Sequence, residues 1–276
     1  MSTPLTDERV TTAVGKVQVQ RGGAGAPVVY LHSALGEAAG LALLEDLADD
    51  HDAVAPLFPG FGESEGIEQI EDMEDAVFHV LDVFDQLDLD APAVIGLSLG
   101  GWMAAEVATR YPERVSALVL VNAVGLYLPE APVPDIFGKT PSELAAMMFA
   151  DQSHPMAQMM NALAARLDEP SGWGDLPFEL FAPTLKSMAA TAKLGWDPYL
   201  HDPKLRKRLY RVTAPTLVVH GEQDAFVVRG HAEAYADGIP HRRPAGWPPA
   251  AAGAARAPRR RRPRVRGHLG RQPRIT

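Results

Sequence analysis

Val94 to Gly101 read VIGLSLGG, an apolar run that closes on Gly-x-Ser-x-Gly and continues into GWMAAEVATRY. That order predicts a strand, a sharp turn and a helix, with Ser98 at the tip of the turn. A serine held there needs neighbours without side chains, and Gly96 and Gly100 leave room for close backbone approach. The helix that starts beside Ser98 aims free N–H groups and a partial positive charge at any anion forming there. These residue types suit a nucleophile beside half of an oxyanion hole. Without a strand before it and a helix after it, Gly-x-Ser-x-Gly is an ordinary glycine turn.

Working outward, VQVQ (Val17 to Gln20) and PVVYLHS (Pro27 to Ser33) read as strands, LALLEDLADD as a short helix, and AVAPLFPGFGES as a strand entering a Pro and Gly loop. Ile70, Met73, Val77, Val80, Leu81, Phe84 and Leu87 recur three or four apart and predict a helix with one buried face. ALVLVNAVG follows the Ser98 helix as another buried strand. Apolar runs without polar alternation, separated by helices, imply a mainly parallel central sheet covered on both faces. From about Glu130 the pattern turns helical, in SELAAMMFA, MAQMMNALAARL, FELFAPTLKSMAATAKL and PKLRKRLYRV, until the strand TLVVHGEQD at Thr216. Met147, Met148, Met156, Met159 and Met160 in this insertion either fill helix contacts or form a pliable apolar wall for substrate.

The chain of 276 residues with 46% hydrophobic content is long enough for one large α/β domain with an insertion. The absence of cysteine excludes disulfides and thiol catalysis, and no HExxH, paired-histidine or clustered-carboxylate pattern suggests a metal. MSTPLTDERV lacks the pattern of a secretory leader and no apolar run reaches bilayer length, so a cytoplasmic protein without a membrane partner is expected. The net charge of −9 conceals two unlike parts: residues 1–240 hold 15 basic against 35 acidic side chains, whereas 241–276 hold 11 arginines and no acid. A body so acidic argues against nucleic acid as the partner of residues 1–240.

Four motifs in order resemble the α/β-hydrolase superfamily: LHSALGE, FPGFGES, GLSLGG and TLVVHGEQD. The resemblance covers about residues 14 to 240 and implies an α/β-hydrolase fold, with a helical cap at about 130 to 212. It assigns Ser98 as nucleophile, Asp224 as the acid, and the N–H groups of Leu99 and Ala34 as oxyanion donors. Where the family usually carries His-Gly, this chain has His32 and Ser33, and His32 reads as a hydrogen-bonded structural residue of that loop. A serine at the elbow points away from epoxide opening and dehalogenation, for which relatives use aspartate. It leaves cofactor-independent cleavage of an ester, lactone, amide, thioester or carbon–carbon bond in a small acyl substrate. A hydrolase-like scaffold that binds ligand without turnover is the alternative.

The resemblance places the base histidine two to three dozen residues after the acid, in a Gly-His loop. Here 28 of the 36 residues from His241 onward are Ala, Arg, Gly or Pro, a composition that cannot supply a core strand. His268, in GHLG, is the only Gly-His late enough in order, while His231 falls on the helix AEAYADG. Three readings of the segment stand: an arginine-rich binding tail, a solvated tail without a specific role, and a change of reading frame near Pro240. The last is favoured because Ala, Arg, Gly and Pro are the residues of GC-only codons. It implies that the closing strand, base loop and helix are lost, leaving an exposed sheet edge.

Overall fold

The computed structural model describes residues 3–168 and 178–240. Seven strands form one sheet in the order β1-β2-β4-β3-β5-β6-β7. They are β1 (Thr6–Thr11), β2 (Lys16–Gly22), β3 (Pro27–Leu31), β4 (Asp52–Pro56), β5 (Ala93–Leu97), β6 (Ala117–Val121) and β7 (Thr216–Val219). β1 and β2 form an antiparallel hairpin, and β2 joins β4 antiparallel. The other neighbours are parallel, which is the mainly parallel α/β sheet expected from the unalternated apolar runs. Val28, Val29, Tyr30 and Leu31 of β3 are all buried, so both faces of this central strand are covered.

The helices between strands are α1 (Ala42–Leu47), α2 (Met73–Gln86) and α3 (Leu99–Arg110). Asp72 caps α2 by accepting from the N–H groups of Glu74 and Asp75, and all seven apolar positions with helical spacing are buried. α3 is buried from Leu99 through Thr109, and its Gly101, Ala104, Ala105 and Ala108 let the helix lie close on β5 and β6. Between β6 and β7 come α4 (Pro141–Met148), α5 (Pro155–Leu167), α6 (Phe178–Gly195) and α7 (Leu205–Arg208). α8 (Arg229–Gly238) follows β7.

Two details depart from the sequence reading. TDERVT is a strand the pattern did not announce: it is polar, and its place comes from the ladder with β2 rather than from burial. PKLRKRLYRV is one helical turn, α7, followed by a tighter 3₁₀ turn over Leu209–Arg211. β7 is the outermost described strand, with Leu217 58% exposed, and an open groove of about 500 Å³ runs between it and α8. Among the described residues no helix is long and apolar enough to cross a membrane.

Candidate active site

The order in which parallel strands are added changes side at β3: β4 lies on one side of it and β5 on the other. In open parallel sheets the crevice outside the carboxyl ends of the strands at such a switch point is where ligands bind. Ser98 follows the last residue of β5 and His32 to Glu37 follow the last residue of β3, so both flank this crevice.

Ser98 sits at the N-cap of α3 with φ 52° and ψ −108°, a sparsely populated conformation that costs a non-glycine residue on the order of 1–3 kcal/mol. The surrounding glycines make room for it. A Cβ on Gly96 would stand 2.4 Å from the Gly100 carbonyl oxygen, and one on Gly100 would stand 2.1 Å from that of Leu31. One on Gly101 would stand 2.6 Å from the Ala123 Cβ. The Ser98 N–H donates to the Val121 carbonyl at 2.9 Å, which extends the β5–β6 ladder one residue into the turn. An N-cap serine ordinarily turns its hydroxyl back onto the helix, yet Ser98 makes no such bond. Among the described residues the hydroxyl has no hydrogen-bond partner.

Beside it, the loop after β3 is tightly wired. His32 is buried; its Nε2 accepts from the Phe58 N–H at 2.9 Å and its Nδ1–H donates to the Ser33 carbonyl at 2.6 Å. Those partners require the neutral ring, and burial lowers its pKa. His32 is thus a fixed strut, as the sequence suggested. Ser33, in the usual glycine position, is held by Glu37: its N–H and Oγ–H donate to the carboxylate at 2.9 and 2.6 Å. The Leu35 N–H donates to Ser33 Oγ and the Gly36 N–H to the Ser33 carbonyl. Among the described residues neither Ala34 nor Leu99, the two expected oxyanion donors, has an N–H partner.

Asp224 lies in the turn after β7, half-buried, with Oδ1 accepting from the N–H groups of Phe226 and Val227, both at 2.8 Å. Its Oδ2 makes no hydrogen bond among the described residues. The turn is tied to the end of β6 by Asn122, which has φ 43° and whose Oδ1 accepts from the Gly221 N–H at 2.9 Å. β6 separates β5 from β7 and all three run parallel, so Ser98 and Asp224 follow strands that end on one edge of the sheet. Among the described residues no histidine joins them. His220 bonds the Val227 carbonyl through Nε2, and His231, 1% exposed, bonds the Ala131 carbonyl. His268, with the whole segment 241–276, lies outside the described residues.

The insertion is anchored to the loop after β4. Lys186 of α6 donates to the Gly62 carbonyl at 2.8 Å and Lys193 to that of Ile67 at 2.9 Å, while a Cβ on Gly60 would stand 2.6 Å from that of Ala190. α4 and α5 pack on each other, with Ala145 and Ala157 buried and Met148, Met156 and Met159 from 38% to 58% exposed. These three do not fill core contacts. Sequence reasoning missed two polar residues that shape the site, Glu37 and Asn122. Glu37 had a signal in LHSALGE, four residues after the serine that replaces glycine.

A family model described as alpha/beta hydrolase fold matches residues 26–249. A 2-hydroxymuconate semialdehyde hydrolase of Pseudomonas sp. strain CF600 is 26% identical over 235 residues, 82% of this chain and 80% of that protein. The polyketide synthase ThaQ of Burkholderia thailandensis is 31% identical over 243 residues, and the match spans 83% of this chain but only 11% of the synthase. Among solved structures, the 2-hydroxy-6-oxo-6-phenylhexa-2,4-dienoate hydrolase of Rhodococcus sp. strain RHA1 superposes with a TM-score of 0.65 at 19% identity, covering 87% of this chain and 89% of that one.

Proposed function

The chain belongs to the α/β-hydrolase fold family, and from that premise we propose that it is a cofactor-independent serine hydrolase of a small, fairly apolar acyl substrate. The observation that carries the proposal is the strained N-cap geometry of Ser98 at the switch point of the sheet, with its hydroxyl spent on no cap. The Ser98 hydroxyl attacks the substrate carbonyl, its proton passes to a base, and the carbonyl electron pair moves onto oxygen. Leu99 and Ala34 N–H groups, with the amino end of α3, hold that oxyanion. Collapse expels the leaving group, which takes the proton from the base, and water then releases the acyl group from Ser98 by the same steps. Asp224 fixes the base through Oδ2, and His268 is the candidate base. The helices between about residues 130 and 212 act as a cap, with the exposed methionines as its pliable apolar wall.

Similarity to a protein named 2-hydroxymuconate semialdehyde hydrolase supports carbon–carbon bond cleavage as the reaction; hydrolysis of a simple ester is the other candidate. The engagement of His220 and His231 with backbone carbonyls favours the rival reading, a ligand-binding scaffold without a competent base. A fluorophosphonate probe and a nitrophenyl ester separate the two. Labelling that disappears in Ser98→Ala together with turnover supports the enzyme. Ligand binding with neither supports the scaffold.

A further inference from the structure

The loop after β3 contains a carboxylate that the hydrolytic scheme does not use. Glu37 collects three donors: the Tyr30 hydroxyl at 2.8 Å and the Ser33 N–H at 2.9 Å on Oε1, and the Ser33 hydroxyl at 2.6 Å on Oε2. Tyr30 is 2% exposed on the central strand, so this anchor is rooted in the core. Ser33 in turn fixes the rest of the turn, because its Oγ accepts from the Leu35 N–H at 3.1 Å and its carbonyl from the Gly36 N–H at 3.1 Å. Of the four amides from Ser33 to Gly36, three are committed within the loop. Ala34 N–H is the one without a partner among the described residues.

We propose that Glu37 is a positioning residue for acyl transfer: by clamping Ser33 to Tyr30 it freezes the loop so that Ala34 N–H is the amide presented to the oxyanion. The proposal rests on the roles given above to Ser98 and Ala34. A glycine at position 33 would leave the loop without the hydroxyl that holds the Leu35 N–H, so the Ser33–Glu37 pair replaces a flexible hinge by a hydrogen-bonded turn. The clamp is registered to the nucleophile, since the Leu31 and His32 carbonyls that precede it are in the closest approach to Gly100 of α3. Preorganised donors are effective because they need no reorganisation as charge develops, and losing one costs roughly 10²- to 10³-fold in kcat. A donor displaced rather than deleted should cost less, about 10- to 100-fold.

The test compares wild type, Ser33→Ala, Glu37→Gln, Glu37→Ala and the Ser33→Ala/Glu37→Ala pair, by fluorophosphonate labelling rate and by kcat and KM on a nitrophenyl ester. Glu37→Ala is expected to lower labelling rate and kcat by about 10- to 100-fold with KM within about threefold. Glu37→Gln, which keeps an acceptor for Tyr30 and the Ser33 N–H, should fall between. The double variant should lose less than the two single losses combined, since both changes remove the Ser33 Oγ–Glu37 contact. Wild-type kcat in Glu37→Ala, a faster Glu37→Gln, or a loss confined to KM or to the folded fraction by circular dichroism would overturn the proposal while leaving the Ser98 reading intact. Labelling that survives Ser98→Ala, or no labelling of the wild type, would instead overturn the Ser98 reading and this proposal with it.

Discussion

His79 offers the most quantitative test of the packing. It lies on the buried face of α2, 3% exposed, edge-on to Phe58 with ring centroids 5.3 Å apart, and neither ring nitrogen has a hydrogen-bond partner among the described residues. It lines a cavity of about 20 Å³ behind His32 and Met103. Burial without a counter-charge lowers its pKa from 6.5 to about 4. The unfolded chain therefore binds a proton at a higher pH than the folded one, so stability is full above pH 6.5 and is lost as pH falls toward 4. With those two values the penalty reaches about 2 kcal/mol at pH 5 and about 3 kcal/mol at pH 4. On a domain this size about 2 kcal/mol shifts the melting temperature by roughly 4 to 8 °C.

The assay is urea denaturation of wild type and His79→Leu at pH 7 and pH 5. His32 and His231, whose pKa values burial also lowers, contribute equally to both proteins and cancel in the difference. At pH 7 the two should lie within about 1 kcal/mol, the lost edge contact with Phe58 being offset by removal of a buried polar ring. At pH 5 the variant should gain about 2 kcal/mol on the wild type. An identical pH dependence in the two proteins would refute the buried, neutral assignment of His79.

Three further outcomes are expected. Gly100→Ala places a Cβ 2.1 Å from the Leu31 carbonyl oxygen and 2.6 Å from that of His32, both backbone, and should cost about 3 kcal/mol and abolish Ser98 labelling, read by thermal melt and probe. Arg110→Met removes the guanidinium 3.0 Å from the fully buried Glu106, whose carboxyl burial pushes up while Arg110 pulls it down, and should cost about 3 to 5 kcal/mol in denaturant. Asp224→Asn keeps an oxygen for the Phe226 and Val227 N–H groups, so the fold should hold while kcat falls on the order of 10⁴-fold; unchanged turnover would remove Asp224 from the acid role.

The parts of the fold that were legible are those in which one physical demand dominates. β3 and β4 read as unbroken apolar runs because both faces are buried, and α2 showed its period because one face meets the core and the other water. β1 carried no such mark: Val10 is its only large apolar residue, and what holds TDERVT is a backbone ladder that any sequence can make. The α7 segment misled for a different reason. Leu205, Leu209 and Val212 are all buried at helical spacing, and one α turn followed by a 3₁₀ turn satisfies that spacing as well as a continuous helix does.

The candidate site divides along the same line. Ser98 was legible because its geometry is imposed locally: Gly96, Gly100 and Gly101 stand at the three points where a Cβ would strike backbone or a neighbouring Cβ, so the constraint is written beside the residue it serves. Asn122 acts at a distance, bridging to Gly221 some 99 positions away, and no spacing rule announces such a partner, whereas Glu37 stands four residues after Ser33 and its role shows only once its bonds to Ser33 and Tyr30 are seen. Ser33 marks the boundary between the two cases. Taken alone, a side chain in the usual glycine position of the oxyanion loop argues against a working donor there. Paired with Glu37 it argues the reverse, since the hydroxyl that replaces glycine is absorbed into a turn that, among the described residues, commits every loop amide from Ser33 to Gly36 except that of Ala34. The departure from the family pattern and its compensation lie four residues apart in the chain, and only their hydrogen bonds to each other show that they are one feature.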